Sequence, residues 1–199
     1  MICLSKEGLY PSTSKLRPIS LLPNIAKWFE RIIHRRILKW CKDHNIEIDE
    51  QSGFMKGRRL QTRILSIVEN LRLTVAACNR PALTIFIDFL SAFDRMWHPA
   101  LTRTLSELGM PMNLLKWIHT WLTNRSLFIS YGEEISRTVQ MKVGAPQGSV
   151  LAATLFRLHI HFLPTYLAKA ASHLFADDLA LVIDGSLEKR FTLNVKDLE

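Results

Sequence analysis

HLFADDLALVI, residues 173 to 183, sets two adjacent carboxylates, Asp177 and Asp178, inside an otherwise apolar stretch. An ionised carboxylate withdrawn from water is costly unless a cation or hydrogen-bond donors compensate it, so the pair must be exposed, protonated or matched by something positive. The apolar residues on either side read as two short strands with the acidic pair at the tip of the turn between them. A chain that begins with helical patterns and ends on strand, acidic turn and strand is predicted to be α+β.

The same interruption occurs earlier. LTIFIDFL, residues 83 to 90, is rich in β-branched and aromatic residues and reads as a buried strand, with Asp88 breaking it. If the two strand-like segments neighbour each other in one sheet, three carboxylates converge at one edge. Their repulsion then raises their pKa values unless divalent cations sit between them. Hard oxygen ligands suit Mg²⁺, which takes one or two protein carboxylates plus phosphates and water. Two such ions, about 3.5 to 4 Å apart, stabilise the attacking and leaving oxygens of an in-line phosphoryl displacement.

The remaining pattern is helical at first. From Asn24 to Lys42 the apolar residues Ile25, Phe29, Ile32, Ile33, Ile37, Trp40 and Cys41 recur at three-to-four spacing, with Lys27, Arg31, Arg35, Lys39 and Lys42 between them. This predicts an amphipathic helix with a basic face, its apolar side assigned to a core rather than to a membrane surface. A second helix is predicted from Leu60 to Ala77 on the stripe Ile64, Val68, Leu71 and Val75. Others are expected at Pro99 to Leu108 and Met112 to Thr123. SLFISYGEEISRTVQMKV, residues 126 to 143, offers a hairpin joined near Gly132, and the glycine-rich GAPQGSVL opens a helix running to about Leu163. Trp40, Trp117 and Trp121 fall on apolar helical stripes, which predicts packing rather than base stacking. The histidines show no ligand arrangement.

At 199 residues and 48% hydrophobic content the chain can bury a core. Residues 1 to 80 hold 15 Lys and Arg against 7 Asp and Glu, whereas residues 81 to 199 hold 11 of each, so the net charge of +8 lies wholly in the first part. That asymmetry points to a polyanionic partner. Cys3, Cys41 and Cys78 are odd in number and widely spaced, which argues against a disulfide framework or zinc site and for a reducing compartment. Arg157, His159, His161 and Pro164 interrupt the one long apolar run, so neither a membrane span nor a secretory signal is expected.

Five blocks in order, RPISLLPNIAKWF (17 to 29), GFMKGRR (53 to 59), DFLSAFD (88 to 94), GAPQGSVL (144 to 151) and FADD (175 to 178), resemble the reverse transcriptase of non-LTR (LINE-type) retrotransposons. The resemblance covers about Arg17 to Ile183. It implies a right-hand polymerase with fingers and palm, an antiparallel palm sheet and no thumb in this stretch. Residues 1 to 80 would be a basic fingers-like region, and residues 81 to 199 a palm-like region with interleaved fingers elements.

It also implies RNA-directed DNA polymerase activity with an RNA template, a DNA primer and deoxynucleoside triphosphates, and two Mg²⁺ ions that Mn²⁺ can replace. Asp88, Asp177 and Asp178 are then the catalytic and metal-binding carboxylates, joined by the main-chain carbonyl of Phe89. Phe93 is similar to the aromatic gate that favours deoxynucleotides. Gln147, Gly148 and Ser149 match the loop against template and nucleotide. Arg17, Lys56, Arg58 and Arg59 match basic positions facing phosphates. Ser91, Met55, Ala152, Ala153, His161 and Phe162 depart from the residues usual in the family, which keeps an inactive, nucleic-acid-binding remnant as the alternative. The resemblance implies action inside the cell, with the nucleus one candidate place that no localisation signal in the sequence selects.

Overall fold

In the computed structural model, residues 2–5, 16–47, 49–55, 57–77, 81–131 and 133–184 are described. They form two compact units, each assembled from two separated stretches of chain: residues 1–47 with 91–160, and residues 48–90 with 161–199.

The second unit carries the acidic residues. Its frame is a three-stranded antiparallel sheet in the order β3 (Ala82–Asp88), β9 (Asp178–Asp184), β8 (Ala171–Phe175). β-branched and leucine-rich runs bounded by a turn pair in this way on a pleated face, but β3, expected to be buried, is an edge strand with no buried residue, its Phe86 75% exposed, because only β9 pairs with it. Leu174, Leu179, Leu181, Val182 and Ile183 are all buried. Strand β3 pairs with β9 from Ala82 opposite Asp184 to Asp88 opposite Asp178. Segment 50–52 adds a short parallel edge beside β8: Leu174 N donates to Glu50 O (2.8 Å) and Ser52 N to Leu174 O (2.9 Å).

Helix α2 (Leu60–Arg72), extended by a π-helical turn at Leu73–Ala77, lies against β8 and β9. The stripe expected to be buried is not. Ile64, Val68 and Val75 are exposed, whereas Arg63 and Asn70, about one residue round the helix from that stripe, reach the buried His173. Asn70 Nδ2 lies 2.9 Å from His173 Nε2, and Arg63 Nη1 lies 3.4 Å from its Nδ1. A buried imidazole requires polar partners, and that requirement turns the helix by about one residue from its hydrophobic period. Burial, reinforced by the Arg63 cation, pushes the His173 pKa below the usual imidazole range.

The first unit is mainly helical. Strands β1 (Ile2–Ser5) and β2 (Leu16–Ile19) pair antiparallel, followed by α1 (Asn24–Asp43), α3 (His98–Glu107), α4 (Met112–Thr123) and α5 (Ala152–His159). The expected hairpin is present as two short pairs, β4 (Ser126–Leu127) with β7 (Val139–Gln140) and β5 (Ser130–Tyr131) with β6 (Glu134–Ile135). The core gathers Ile33, Ile37, Leu101, Leu105, Ile118, Leu122, Leu151 and Leu155.

Only the second half of the α1 stripe enters this core. Ile33, Ile37, Trp40 and Cys41 are buried, but Ile25, Phe29 and Ile32 are exposed. Trp117 and Trp121 are half-buried and stack on each other at 6.1 Å. The helix expected to run to about Leu163 stops at His159 and restarts as the short α6 (Leu163–Tyr166) of the second unit, where Pro164 has no N–H to continue the earlier ladder. Among the described residues no helix is long and apolar enough to cross a membrane.

Candidate active site

Asp88 and Asp178 are directly opposed on the last rung of the β3–β9 ladder, so their side chains leave the same face of the sheet. Asp177 sits in the adjoining two-residue turn, and Phe89 N donates to Asp177 O at 3.3 Å, tying the end of β3 to that turn. The three expected carboxylates are thus neighbours within one unit. Among the described residues no Lys or Arg makes an ion pair with any of them, and like charges facing each other across a sheet are destabilising.

Partial desolvation first, then Asp177 and Asp88, push the Asp178 carboxyl above the usual aspartate range. The cluster stays open, for no three described His, Cys, Asp or Glu side chains close around a metal-sized centre. Side-by-side carboxylates without cationic partners are a donor set that fits Mg²⁺, because Mg²⁺ takes few protein carboxylates and leaves room for waters and substrate phosphates.

The turn is held from beneath. Ala176 has φ +59, a left-handed conformation that costs a non-glycine residue about 1–2 kcal/mol. The fully buried Gln51 side chain grips it at both ends. Ala176 N donates to Gln51 Oε1 (3.0 Å), and Gln51 Nε2 donates to Ala176 O (3.1 Å). Gly53 N donates to the same Oε1 at 2.6 Å. A Cβ at position 53 would lie 2.0 Å from Ala176 N, so only glycine fits there. Nothing in the periodicity of QSGF marks Gln51, and two of its three hydrogen bonds reach Ala176, 125 residues away.

Of the basic residues expected to face phosphates, Arg58 is engaged: its Nη1 donates to Asp49 O (2.9 Å) and its Nη2 pairs with Asp49 Oδ1 (3.0 Å). Arg59 and Arg17 are exposed, Arg17 on β2 of the first unit, and Lys56 lies outside the described residues.

The glycine-rich loop belongs to the first unit and brings Gln147 together with Asp94, the last residue of DFLSAFD. Gln147 Nε2 donates to both Asp94 carboxylate oxygens, at 3.0 and 2.9 Å. Ala145 N donates to Phe93 O (2.8 Å), and the half-buried Phe93 ring packs 5.1 Å from Phe156. Gly148 has φ +114, and a Cβ there would meet Ser20 O at 2.8 Å, so the loop lies directly on the chain leaving β2. Ser20 N accordingly donates to Gln147 O at 2.8 Å. Ser149 Oγ and Val150 N both donate to the buried Glu30 carboxylate of α1, at 2.9 and 2.8 Å. Glu30 and Asp94 are therefore the supports of this loop that spacing alone does not reveal.

Carboxylates opposed on a sheet edge, with no ion pair to a cation among the described residues, are a donor set of the kind that divalent ions use in phosphoryl transfer. A family model described as reverse transcriptase (RNA-dependent DNA polymerase) matches residues 4–198, and the chain belongs to that family. It is similar to a probable RNA-directed DNA polymerase from transposon X-element of Drosophila melanogaster, 32% identical over 169 residues, covering 83% of this chain and 18% of that protein. The RNA-directed DNA polymerase from mobile element jockey of the same organism is 34% identical over 170 residues, again covering 83% and 18%. These relatives identify it as a LINE-type reverse transcriptase domain. The chain spans less than a fifth of the length of those two relatives.

Among solved structures, apo telomerase from Candida tropicalis aligns with a TM-score of 0.57 at 11% identity, covering 87% of this chain and 33% of that one. Telomerase from the same organism in complex with a TWJ fragment of telomeric RNA gives 0.57 at 14% identity, covering 82% and 30%. That likeness establishes a shared fold, in agreement with the expected mixture of helices and antiparallel sheet.

Proposed function

We propose that this chain is the fingers-and-palm part of a retrotransposon RNA-directed DNA polymerase, extending a DNA primer on an RNA template from deoxynucleoside triphosphates. The observation that carries the reading is the rung Asp88–Asp178 with Asp177 in the adjoining turn, uncompensated by any described cation. Residues 1 to 80 act as the basic fingers-like region, and residues 81 to 199 as the palm with interleaved fingers elements.

When bound, Mg²⁺ or Mn²⁺ supplies neutralisation of the charge that develops on the attacking primer 3′ oxygen and the leaving pyrophosphate. Asp88, Asp177 and Asp178 would hold the cations, and the Phe89 carbonyl would offer a further hard oxygen. Gln147, Gly148 and Ser149 present a close backbone surface to nucleotide and template. The Phe93 ring crowds a ribose 2′-OH. Arg17, Lys56, Arg58 and Arg59 receive phosphates; Arg58 does so by exchanging its pairing with the exposed Asp49. Catalysis is then positioning and electrostatics rather than covalent chemistry.

The test is incorporation of labelled dTTP on oligo(dT)-primed poly(rA) with Mg²⁺ or Mn²⁺, for the unaltered chain and its Asp177→Ala variant. Incorporation by the unaltered chain and background counts from a folded Asp177→Ala is the expected pattern. Equal incorporation by both removes the assignment of the acidic turn. Silence from both, in folded protein that still binds RNA, leaves the nucleic-acid-binding remnant as the reading.

A further inference from the structure

Gln51 takes no part in the reaction as described, yet it is a fully buried polar side chain with three hydrogen bonds, every one ending on a main-chain group at or beside the acidic turn. Its orientation is determined by chemistry. Two N–H groups, of Gly53 and Ala176, point at one atom, which must be the acceptor Oε1, leaving Nε2 to donate to Ala176 O. The residue so held is the one described alanine with positive φ, immediately before Asp177. Segment 50–52 is itself fixed to β8 by two main-chain bonds through Leu174, so Gln51 projects from a rigid edge. On the far side of the turn, Asp177 O accepts from Phe89 N.

We propose that Gln51 is a positioning residue for the acidic turn: by clamping Ala176 in its left-handed conformation it fixes where the Asp177 and Asp178 carboxylates stand for a divalent cation. This rests on the reading above of those carboxylates as the cation site. Gly53 serves the same clamp by letting the 50–53 segment approach Ala176 closely enough for Gln51 to bridge it. A residue that supported only the core would affect stability alone. A clamp on a strained residue makes a sharper prediction, because glycine adopts the left-handed conformation without strain and should replace part of what Gln51 does.

The experiment compares the unaltered chain with Gln51→Leu, Gln51→Asn, Ala176→Gly and the two double variants by two readouts. Mn²⁺ titration followed by electron paramagnetic resonance reports cation affinity, and amide hydrogen exchange reports the Ala176 N–H. In the unaltered chain the Ala176 amide should be protected like those of β8; exchange at the rate of an open turn overturns the inference without any variant. Gln51→Leu should speed that exchange and weaken Mn²⁺ binding about tenfold, the lower end of what is lost when a residue that orients a metal's ligands is replaced. Gln51→Asn, an amide one methylene short, should behave alike.

Adding Ala176→Gly should restore Mn²⁺ affinity to within about threefold of the unaltered chain while leaving any loss of thermal stability in place, because glycine removes the strain but does not satisfy the main-chain groups that Gln51 bonds. Mn²⁺ affinity unmoved in a folded Gln51 variant, or a loss that Ala176→Gly does not relieve, overturns the proposal. If the unaltered chain and Asp177→Ala bind Mn²⁺ equally while Ala176 protection still depends on Gln51, the cation site fails and the clamp on the turn stands.

Discussion

Asp88 and Asp178 face each other where a sheet would ordinarily place an opposite-charge or apolar pair, and the Asp178 pKa is raised, by partial desolvation first and then by the Asp177 and Asp88 charges. The sign follows from linkage. A carboxyl whose folded pKa lies above its unfolded value binds more protons folded than unfolded between the two, so stability falls as pH rises through that window and stays lower above it. Asp178→Asn should therefore raise the melting temperature at pH 7 by about 1–3 °C, the size of one like-charge cross-strand pair. The gain should vanish below the ordinary aspartate range, where the unaltered residue is also neutral; a gain undiminished in acid would show that repulsion is not its source. Saturating Mg²⁺ should abolish the same gain at pH 7, since the cation removes the repulsion it depends on. At this scale the carboxylates were legible because a charged residue inside an apolar run is conspicuous by itself. Gln51 was not, because its partners are main-chain atoms, those of Ala176 lying 125 residues away, that leave no trace in side-chain pattern.

Elements were legible where one face met one core. Helix α4 begins and ends as its stripe predicts, at Met112 and Thr123, and Leu115, Ile118 and Leu122 are buried along it. Helix α2 departs because a buried His173 recruits Arg63 and Asn70, and α1 departs because its first turns carry Ile25 and Trp28 outward. The link from α1 to the glycine-rich loop runs instead through Glu30, 3% exposed, which accepts from Ser149 Oγ and Val150 N. Glu30→Ala leaves a half-buried Val150 N–H without its partner and removes two charge-assisted bonds, so a loss of about 2–4 kcal/mol is expected in urea unfolding. Asp94→Ala acts on the other side of the same loop. Freed from Asp94, Gln147 should raise the KM for deoxynucleoside triphosphate several-fold, with stability changed by under about 1 kcal/mol, as for a partly exposed hydrogen bond. Steady-state kinetics that show kcat falling with KM unmoved would assign Asp94 to another task.

Across the whole chain the positive excess of residues 1 to 80 finds a surface on α1. Arg31, Arg35, Lys39 and Lys42 follow one another at three-to-four spacing and are all exposed, with Trp28, 69% exposed, at their head. Trp28, Arg31, Ile32 and Arg35 line a shallow groove on that helix. Cations in line with an open indole suit a single-stranded polyanion whose bases can stack, since phosphates release counterions to the guanidinium groups while a base covers the ring. The two contributions separate by salt. Arg31→Ala with Arg35→Ala removes two phosphate contacts and should reduce the slope of log K against log salt for single-stranded RNA by about 1.4. Trp28→Ala removes stacking, so it should weaken binding by about 1–3 kcal/mol with the slope preserved. Fluorescence anisotropy of a labelled oligo(rA) across about 50–200 mM KCl measures both quantities in one titration series. A double arginine variant that keeps the full slope would move the RNA contact off α1 to the other basic residues of the first 80. Loss of slope on replacing Trp28 alone would mean that the indole orders the arginines rather than stacking on a base.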